Sequence, residues 1–392
     1  MARLPKSLES RVYLYRFADD FMLIYPFYAL LFAESGLSTA QISMLFVGWS
    51  VIGIAAEIPT GALGDRFDRR YLLALGQLTK AVGFGCWFIF SDFTGYLAGF
   101  ALWGIGSAFS SGTYEALVYD ELDKQGRREQ YLRVAGRSAS VALVAILLAT
   151  ALASLVASPG YDIAILASVG ASCIAALAAL SLPKASRVAS TKQTPYLETI
   201  KVGLRLSIRS KRLGVAILLA AVAGSAYGAL EEYSGLFISD LGYSAAVVAL
   251  ILTAIGITDA LGAFSAERVE KARTGGIFAL VAVASVSLIA ASLLQSAASV
   301  PLLAAFFFLT QAAMIISESR VQHSIDSTEH RATATSVANF AIEIASLGVF
   351  ATFAIAGSQD RFVGFIACAL VLLLSAVAAS TADRRLAKTG PS

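Results

Sequence analysis

The segment Gly61-Ala62-Leu63-Gly64-Asp65-Arg66-Phe67-Asp68-Arg69-Arg70 separates two apolar runs, residues 40 to 60 and 71 to 91. Half of its residues are charged. Each flanking run has roughly the 20 residues that an α-helix needs to cross a hydrocarbon core about 30 Å thick at about 1.5 Å per residue. A charged segment between two such runs is a loop at a membrane surface. Similar runs recur from Tyr13 to Thr381, and 57% of the 392 residues are hydrophobic against 15% charged. An ordinary soluble domain carries about 25% charge. The runs are continuous rather than alternating and rich in Ala, Leu and Gly, which excludes a transmembrane β-barrel. The chain reads as an all-α polytopic membrane protein.

Working outward from the loop, spans are expected near residues 13 to 33, 40 to 60, 71 to 91, 95 to 118, 134 to 157 and 161 to 183. Six more are expected near 213 to 238, 244 to 264, 275 to 297, 299 to 320, 333 to 356 and 361 to 382. Lys and Arg outside the spans concentrate on one side: Arg3, Lys6 and Arg11 in the amino-terminal tail, Arg66, Arg69 and Arg70 in the quoted loop, and Lys124, Arg127, Arg128 and Arg133. Arg268, Lys271, Arg273, Arg384, Arg385 and Lys388 continue this basic side, whereas the opposite loops offer Arg361 beside Glu34, Asp92, Asp162 and Asp240. The positive-inside rule then places both termini in the cytoplasm, which an even count of about twelve spans satisfies. The first span lacks an A-x-A pattern and is interrupted by Arg16, Asp19 and Asp20, so no removable signal peptide is expected. Cys86, Cys173 and Cys368 all lie in apolar runs, which suggests neither a disulfide framework nor a thiolate metal site.

The polar, basic stretch 184–212 divides the chain into two six-helix halves, 1–183 and 213–392. Within it Tyr196, Ile200, Leu204 and Ile208 recur at helical spacing between Lys201, Arg205 and Arg209, the pattern of an amphipathic helix on an anionic membrane surface. The halves repeat. Asp65-Arg66-Phe67-Asp68-Arg69 has a counterpart in Glu267-Arg268-Val269-Glu270-Lys271, with the same charge signs 202 residues later, and Glu115 is matched by Glu318 at nearly that offset. Duplicated six-span halves are a layout of secondary transporters that bind substrate near mid-membrane.

In the quoted loop, Pro59 is expected to end the preceding helix by removing a donor, and Gly61 and Gly64 to permit a tight reversal. Asp65 suits helix amino-termini, and Arg66, Arg69 and Arg70 suit acids or helix carboxyl-termini. The segment resembles the signature loop of the major facilitator superfamily, G-x-L-a-D-r-x-g-r-[kr]; with the six-plus-six layout, the resemblance covers essentially the whole chain. It implies that these contacts latch the halves in an outward-facing state, with the start of the eleventh span as partner for Asp65 and Asp120 for Arg69. Asp68 stands where the family usually has Gly, so the turn differs or gains an ion pair. Phe100 stands four residues before Gly104, where a family motif has Arg, and the antiporter motif of the fifth span is missing from Val134 to Ala157. Glu57-Ile58-Pro59-Thr60-Gly61 and Gly112-Thr113-Tyr114-Glu115-Ala116 instead resemble a broad group of bacterial facilitators often assigned to efflux.

Ionisable side chains inside spans are costly and face a cavity or a partner. The acids are Asp19, Asp20, Glu57, Glu115, Glu231, Glu232, Asp259, Glu318 and Glu343; the bases are Arg16, Lys80, Arg137 and Arg320. Asp20 and Glu343 lie roughly 12 and 15 Å deep. With Glu231 and Glu232 they are candidates for proton exchange or cation recognition, because a proton and a cationic substrate compete for a carboxylate in a partly dry cavity. An ion pair of Arg16 with Asp19 or Asp20 is the structural alternative. Glu57, Glu115, Asp259 and Glu318 lie nearer the cytoplasmic ends and read as gate or scaffold residues together with Gly61, Gly64, Asp65, Arg66, Arg69, Asp120, Glu267 and Arg268. Tyr25, Tyr28, Tyr227 and Tyr233 offer rings for a cation or flat ligand, or else pack and anchor.

These features point to a proton-coupled exporter of small amphipathic, cationic or zwitterionic molecules in the bacterial inner membrane. Proton-linked uptake of a nutrient or metabolite is the alternative, and a non-transporting receptor on the same fold is a reading of another class. The expected partners are a small-molecule substrate, protons and the lipid bilayer, with no nucleic acid, and the expected state is a monomer. His323 and His330 lack the constellation of a hydrolase and no P-loop is present, so neither an enzyme, nor ATP-driven pumping, nor a cofactor or metal is expected.

Overall fold

A computed structural model of the chain describes residues 7–64, 67–157, 160–184, 202, 205, 207, 210–270, 275–324 and 328–388. Asp65 and Arg66 lie outside the described residues. Of the amphipathic helix expected over 196–208, only Val202, Arg205 and Ser207 are described, all helical. The helices of the first half are α1 (Leu8–Asp20), α2 (Tyr28–Glu34), α3 (Thr39–Gly64), α4 (Arg69–Ile89), α5 (Phe93–Ser110), α6 (Thr113–Lys124), α7 (Tyr131–Ala153) and α8 (Asp162–Ser181). Those of the second half are α9 (Lys211–Asp240), α10 (Ala245–Glu270), α11 (Gly275–Leu294), α12 (Ser299–His323), α13 (Thr328–Ala356) and α14 (Arg361–Lys388).

Among the described residues, 10 helices are long and apolar enough to cross a membrane: α3, α4 and α7 to α14. The two other expected spans are interrupted. The run 13 to 33 is divided into α1 and α2, and 95 to 118 into α5 and α6, which begins after Gly112 at φ +66°. Outward-facing apolar side chains such as Phe264 and Ile355, each 79% exposed, need hydrocarbon rather than water around them. The chain is a multi-pass α-helical membrane protein.

One compact unit comprises Met1–Leu37, Leu45–Gln193 and Ser244–Leu250; the other comprises Ser38–Met44, Thr194–Tyr243 and Ile251–Ser392. In the first, α4 packs against α5 and α8, and α1 against α7 and α8. Paired glycines let α4 and α5 touch backbone to backbone. A methyl group on Gly76 would lie 2.6 Å from the Gly106 carbonyl oxygen, and one on Gly83 would lie 2.6 Å from that of Gly99; the converse additions meet the same 2.6 Å clashes. Gly76 and Gly83, like Gly99 and Gly106, are two helical turns apart, so each pair lies on one face. In the second unit α9 packs against α12, α13 and α14, and α11 against α12 and α14. Its close approaches differ: Gly262 of α10 lies against the Phe308 carbonyl of α12, and Ser287 of α11 donates to the Leu302 carbonyl at 2.8 Å.

Pro59 does not end its helix; α3 runs through it to Gly64. A membrane helix tolerates proline when nearby groups take up the freed backbone polarity, here that of the Ala55 carbonyl.

Gly83→Ala is expected to destabilise the purified protein by about 1–3 kcal/mol through overpacking, whereas Gly85→Ala, with nothing within 4 Å of the added methyl, leaves thermal unfolding unchanged. Equal shifts for the two variants would contradict the backbone contact between α4 and α5.

Candidate functional site

The interruption of the first span organises the polar residues of the first unit. Pro26 lacks an N–H and disfavours helical geometry at Tyr25, and the chain leaves the helix after Asp20 and re-enters it at Tyr28. The backbone freed between them is satisfied from neighbouring helices. Lys80 of α4 donates to the Asp19 carbonyl at 3.0 Å, and the Ile24 N–H donates to Ser168 Oγ of α8 at 3.0 Å. A cation at the carboxyl end of α1 also opposes the negative pole of the helix dipole.

The two adjacent carboxylates have unequal surroundings. Asp19 Oδ1 accepts from Lys80 Nζ at 2.7 Å and from Gln77 Nε2 at 2.8 Å, and its Oδ2 accepts from Arg16 at 3.4 Å. Gln77 also reaches the Tyr15 hydroxyl, at 3.2 Å. Asp20 has Arg16 Nε within 3.1 Å of its Oδ2, but that oxygen, though buried, accepts no hydrogen bond. Two cations therefore face two carboxylates, with Asp19 held by three side chains and Asp20 sharing one guanidinium with it. Composition did not reveal Gln77 or the Lys80 contact, because Lys80 and Asp19 are 61 residues apart in sequence.

Tyr25 stacks on Trp103 with ring centroids 5.3 Å apart. Tyr28 is 8% exposed and packs edge-on against Phe46, Phe100 and Trp103. All three tryptophans of the chain, Trp49, Trp87 and Trp103, meet in this cluster around Phe100. The signal available in the sequence was their confinement to the first 103 residues.

The second unit joins residues expected to serve different roles. The Tyr227 hydroxyl of α9 donates to Asp259 Oδ2 of α10 at 3.3 Å, and the charge of Glu231, one turn beyond Tyr227, reaches both. Glu231 is exposed, Glu232 partly buried and Glu343 of α13 exposed. Tyr233, by contrast, is fully buried, stacked on Phe353 at 3.8 Å and bonded to Ser43 at 2.7 Å.

On the basic side, Arg69 at the start of α4 donates to Asp120 of α6, its expected partner. Asp68 caps α4 by accepting from the Arg70 N–H at 3.2 Å and also faces Arg70 Nε at 3.2 Å, so the residue that replaces the family's usual Gly supplies both a cap and an ion pair. Glu57 accepts from Ser111 Oγ at 3.2 Å where α5 ends. Glu115 lies in the first turn of α6, favoured by the helix dipole, and Glu318 is exposed on α12. Gly61, Gly64, Glu267 and Arg268 are helical, but their side-chain surroundings lie outside the description. Glu9 pairs with Arg127. A backbone hydrogen bond, followed by that of Arg127, holds the Glu9 carboxyl below its usual range. On the opposite side, Arg361 Nε donates to Asp240 Oδ2 at 2.6 Å in a two-pronged pair, and the Tyr161 hydroxyl donates to Glu34 at 2.6 Å.

Two helical units of apolar, membrane-length helices that carry charged side chains suit a membrane transporter. The chain belongs to the Major Facilitator Superfamily, whose sequence profile it matches over residues 14–350. Its fold is similar to that of a bacterial homologue of the human lysosomal transporter Spinster, in an inward-facing and unoccupied conformation, with TM-score 0.77 and 16% identity over 99% of each chain. The nucleoside transporter NupG is similar with TM-score 0.75 and 14% identity over 96% of this chain and 98% of its own. A D-xylose–proton symporter follows with 0.72 and 16% over 95% and 96%. At these identities the likeness is one of fold. No curated protein sequence matches the chain.

Lys80→Met is expected to destabilise the protein by about 3–5 kcal/mol by removing the nearer cation of the buried Asp19 carboxylate, with Asp19→Asn in that background restoring part of the loss. Strictly additive effects in thermal unfolding would show that the pair is not coupled. Because the Glu9 pKa is depressed, its stabilisation is present above the ordinary glutamate range and is lost as pH falls through the depressed value. Wild type should therefore exceed Glu9→Gln in stability near neutrality, by less than about 1 kcal/mol for such a surface pair, and the difference should vanish in acid.

Proposed function

We propose that this chain is a proton-coupled exporter of small amphipathic molecules, cationic or zwitterionic, working by alternating access in the bacterial inner membrane with both termini cytoplasmic. The observation that carries the reading is the inequality of Asp19 and Asp20 at the break in the first span. Asp19 is saturated by Lys80, Gln77 and Arg16, while Asp20 shares Arg16 and keeps a buried oxygen without a hydrogen bond. A carboxylate so placed gains from taking up a proton, and a substrate cation that approaches it favours the proton's release. Asp20 is the exchanging group in this reading and Asp19 its fixed neighbour. Tyr25, Tyr28, Tyr227, Glu231, Glu232 and Glu343 supply substrate contacts. Glu57, Glu115, Asp120, Arg69, Glu318 and the two charged segments, Asp65 and Arg66 with Glu267 and Arg268, form the gate. The basic side supports the orientation through the positive-inside rule.

The test is proton flux into sealed proteoliposomes carrying an internal pH-sensitive dye, challenged with a panel of cationic, zwitterionic and anionic compounds. Substrate-evoked proton movement in wild type should fall at least about tenfold in Asp20→Asn, a change of about 1.4 kcal/mol in the coupled step, with thermal stability retained. The sign of the movement separates export from uptake. Substrate binding to the purified protein with no proton movement for any compound would overturn the proton-coupled reading.

A further inference from the structure

Asp259 has surroundings unlike those of Asp19 and Asp20: among the described residues, no cation acts on it. Asp259 of α10 is 8% exposed; its Oδ2 accepts from Tyr227, and its Oδ1 is buried without a hydrogen-bond partner. Tyr227 is fixed from behind by Phe307 of α12, edge-on at 5.8 Å. Glu231 stands four residues beyond Tyr227 on α9, on the same helical face, and is exposed.

The titratable residues of the surrounding helices include Glu232 on α9, Glu318, Arg320 and His323 on α12, Glu343 on α13, and Arg361 and Cys368 on α14. Arg361 is engaged by Asp240. Among the described residues, the groups whose charge or hydrogen bond acts on Asp259 are Glu231 and Tyr227. With no cation among those groups, two carboxylates that feel one another cannot both stay ionised cheaply in a low-dielectric setting, and a single shared proton relieves the repulsion. That proton also supplies what the Asp259 Oδ1 lacks, since a carboxylic acid carries an O–H donor in place of a second acceptor.

We propose that Asp259 and Glu231 form a second protonation site, which holds one proton between them, with Tyr227 orienting the inner carboxyl and Glu231 giving access to it. The site leaves a single negative charge, matched to one monovalent cationic group. Its place in a transport cycle rests on the proton-coupled reading above; its existence does not. Asp259, expected from its position near the loop to serve a gate, is in this assignment a proton carrier.

The experiment is pH-titrated infrared difference spectroscopy of the full chain in nanodiscs, following the C=O stretch of protonated carboxyl groups. Wild type should show a protonated carboxyl that persists well above the ordinary carboxylate range. Asp259→Asn and Glu231→Gln should each remove a titrating group and lower the midpoint of the survivor by about one pH unit or more, because the like charge is gone. Tyr227→Phe, which keeps the ring, should raise the midpoint by withdrawing a donor from the Asp259 carboxylate. Asp20→Asn should leave this band in place, so the two sites succeed or fail separately. On unmutated protein, a hydrophobic carbodiimide should label the peptide containing Glu231 or Asp259 at neutral pH, with less label as pH rises. Ionisation of both carboxyls within the ordinary range, or an unchanged survivor in either single variant, would overturn the proposal; so would absence of the label from both peptides.

Discussion

The ammonium group of Lys80 is the interaction on which the first unit depends. It donates both to a carbonyl at the end of α1 and to the carboxylate of the same residue, Asp19, so it closes a broken helix and neutralises a buried charge with one side chain. Burying an ion costs several kcal/mol even after relaxation, and that cost is offset here by the two Asp19 oxygens that Lys80 reaches, the carbonyl left at the break and the carboxylate. The break and the lysine are therefore mutually dependent. A continuous helix would leave Lys80 without the carbonyl, and a neutral residue at 80 would leave the helix end without its counter-charge.

Much of this fold was legible because hydrocarbon imposes a length on apolar runs. The ends of α3, α4 and α7 to α14 fall within a few residues of the expected spans, except where polar ends extend the helix, as in α10 and α14. The interruption after Asp20 was not legible, since hydropathy averages over a window and cannot distinguish a straight span from two half-helices. Pro26 is the one residue of that run whose chemistry marks the break. The charges inside spans were visible as charges, but their partners were not: the Lys80–Asp19 contact and the Tyr227–Asp259 contact join helices, and depth along one helix says nothing about which neighbour faces it. Pro59 was misread for a related reason, because a soluble helix would stop there whereas a packed membrane helix continues.

The repeat of charge signs in the sequence does not extend to the packing. The charged segments Asp65–Arg69 and Glu267–Lys271 keep the same order of signs 202 residues apart, but the contacts that draw helices together do not recur. Gly76 and Gly83 correspond to Phe278 and Ser285, so the paired-glycine contact between α4 and α5 has no copy. Instead α11 and α12 are joined by the Ser287 hydroxyl, and α10 meets α12 at Gly262. Without a hydrophobic drive between helices in lipid, either close backbone contact or a buried hydrogen bond can hold a pair together, so the two units are held by different contacts.

Charge balance differs between the units in the same way, and the difference bears on how the proposed coupling would divide. In the first unit two cations meet two carboxylates, so a proton arriving at Asp20 leaves a net positive cluster and displaces the claim of Arg16 on that oxygen. In the second, Glu231 acts on Asp259 and, among the described residues, no cation does, so a proton reduces repulsion rather than creating an excess. A cationic group is repelled by the first cluster when it is protonated and attracted by the second while one negative charge remains. Under that division the acids of the first unit set when the proton leaves, and those of the second set which charge is carried.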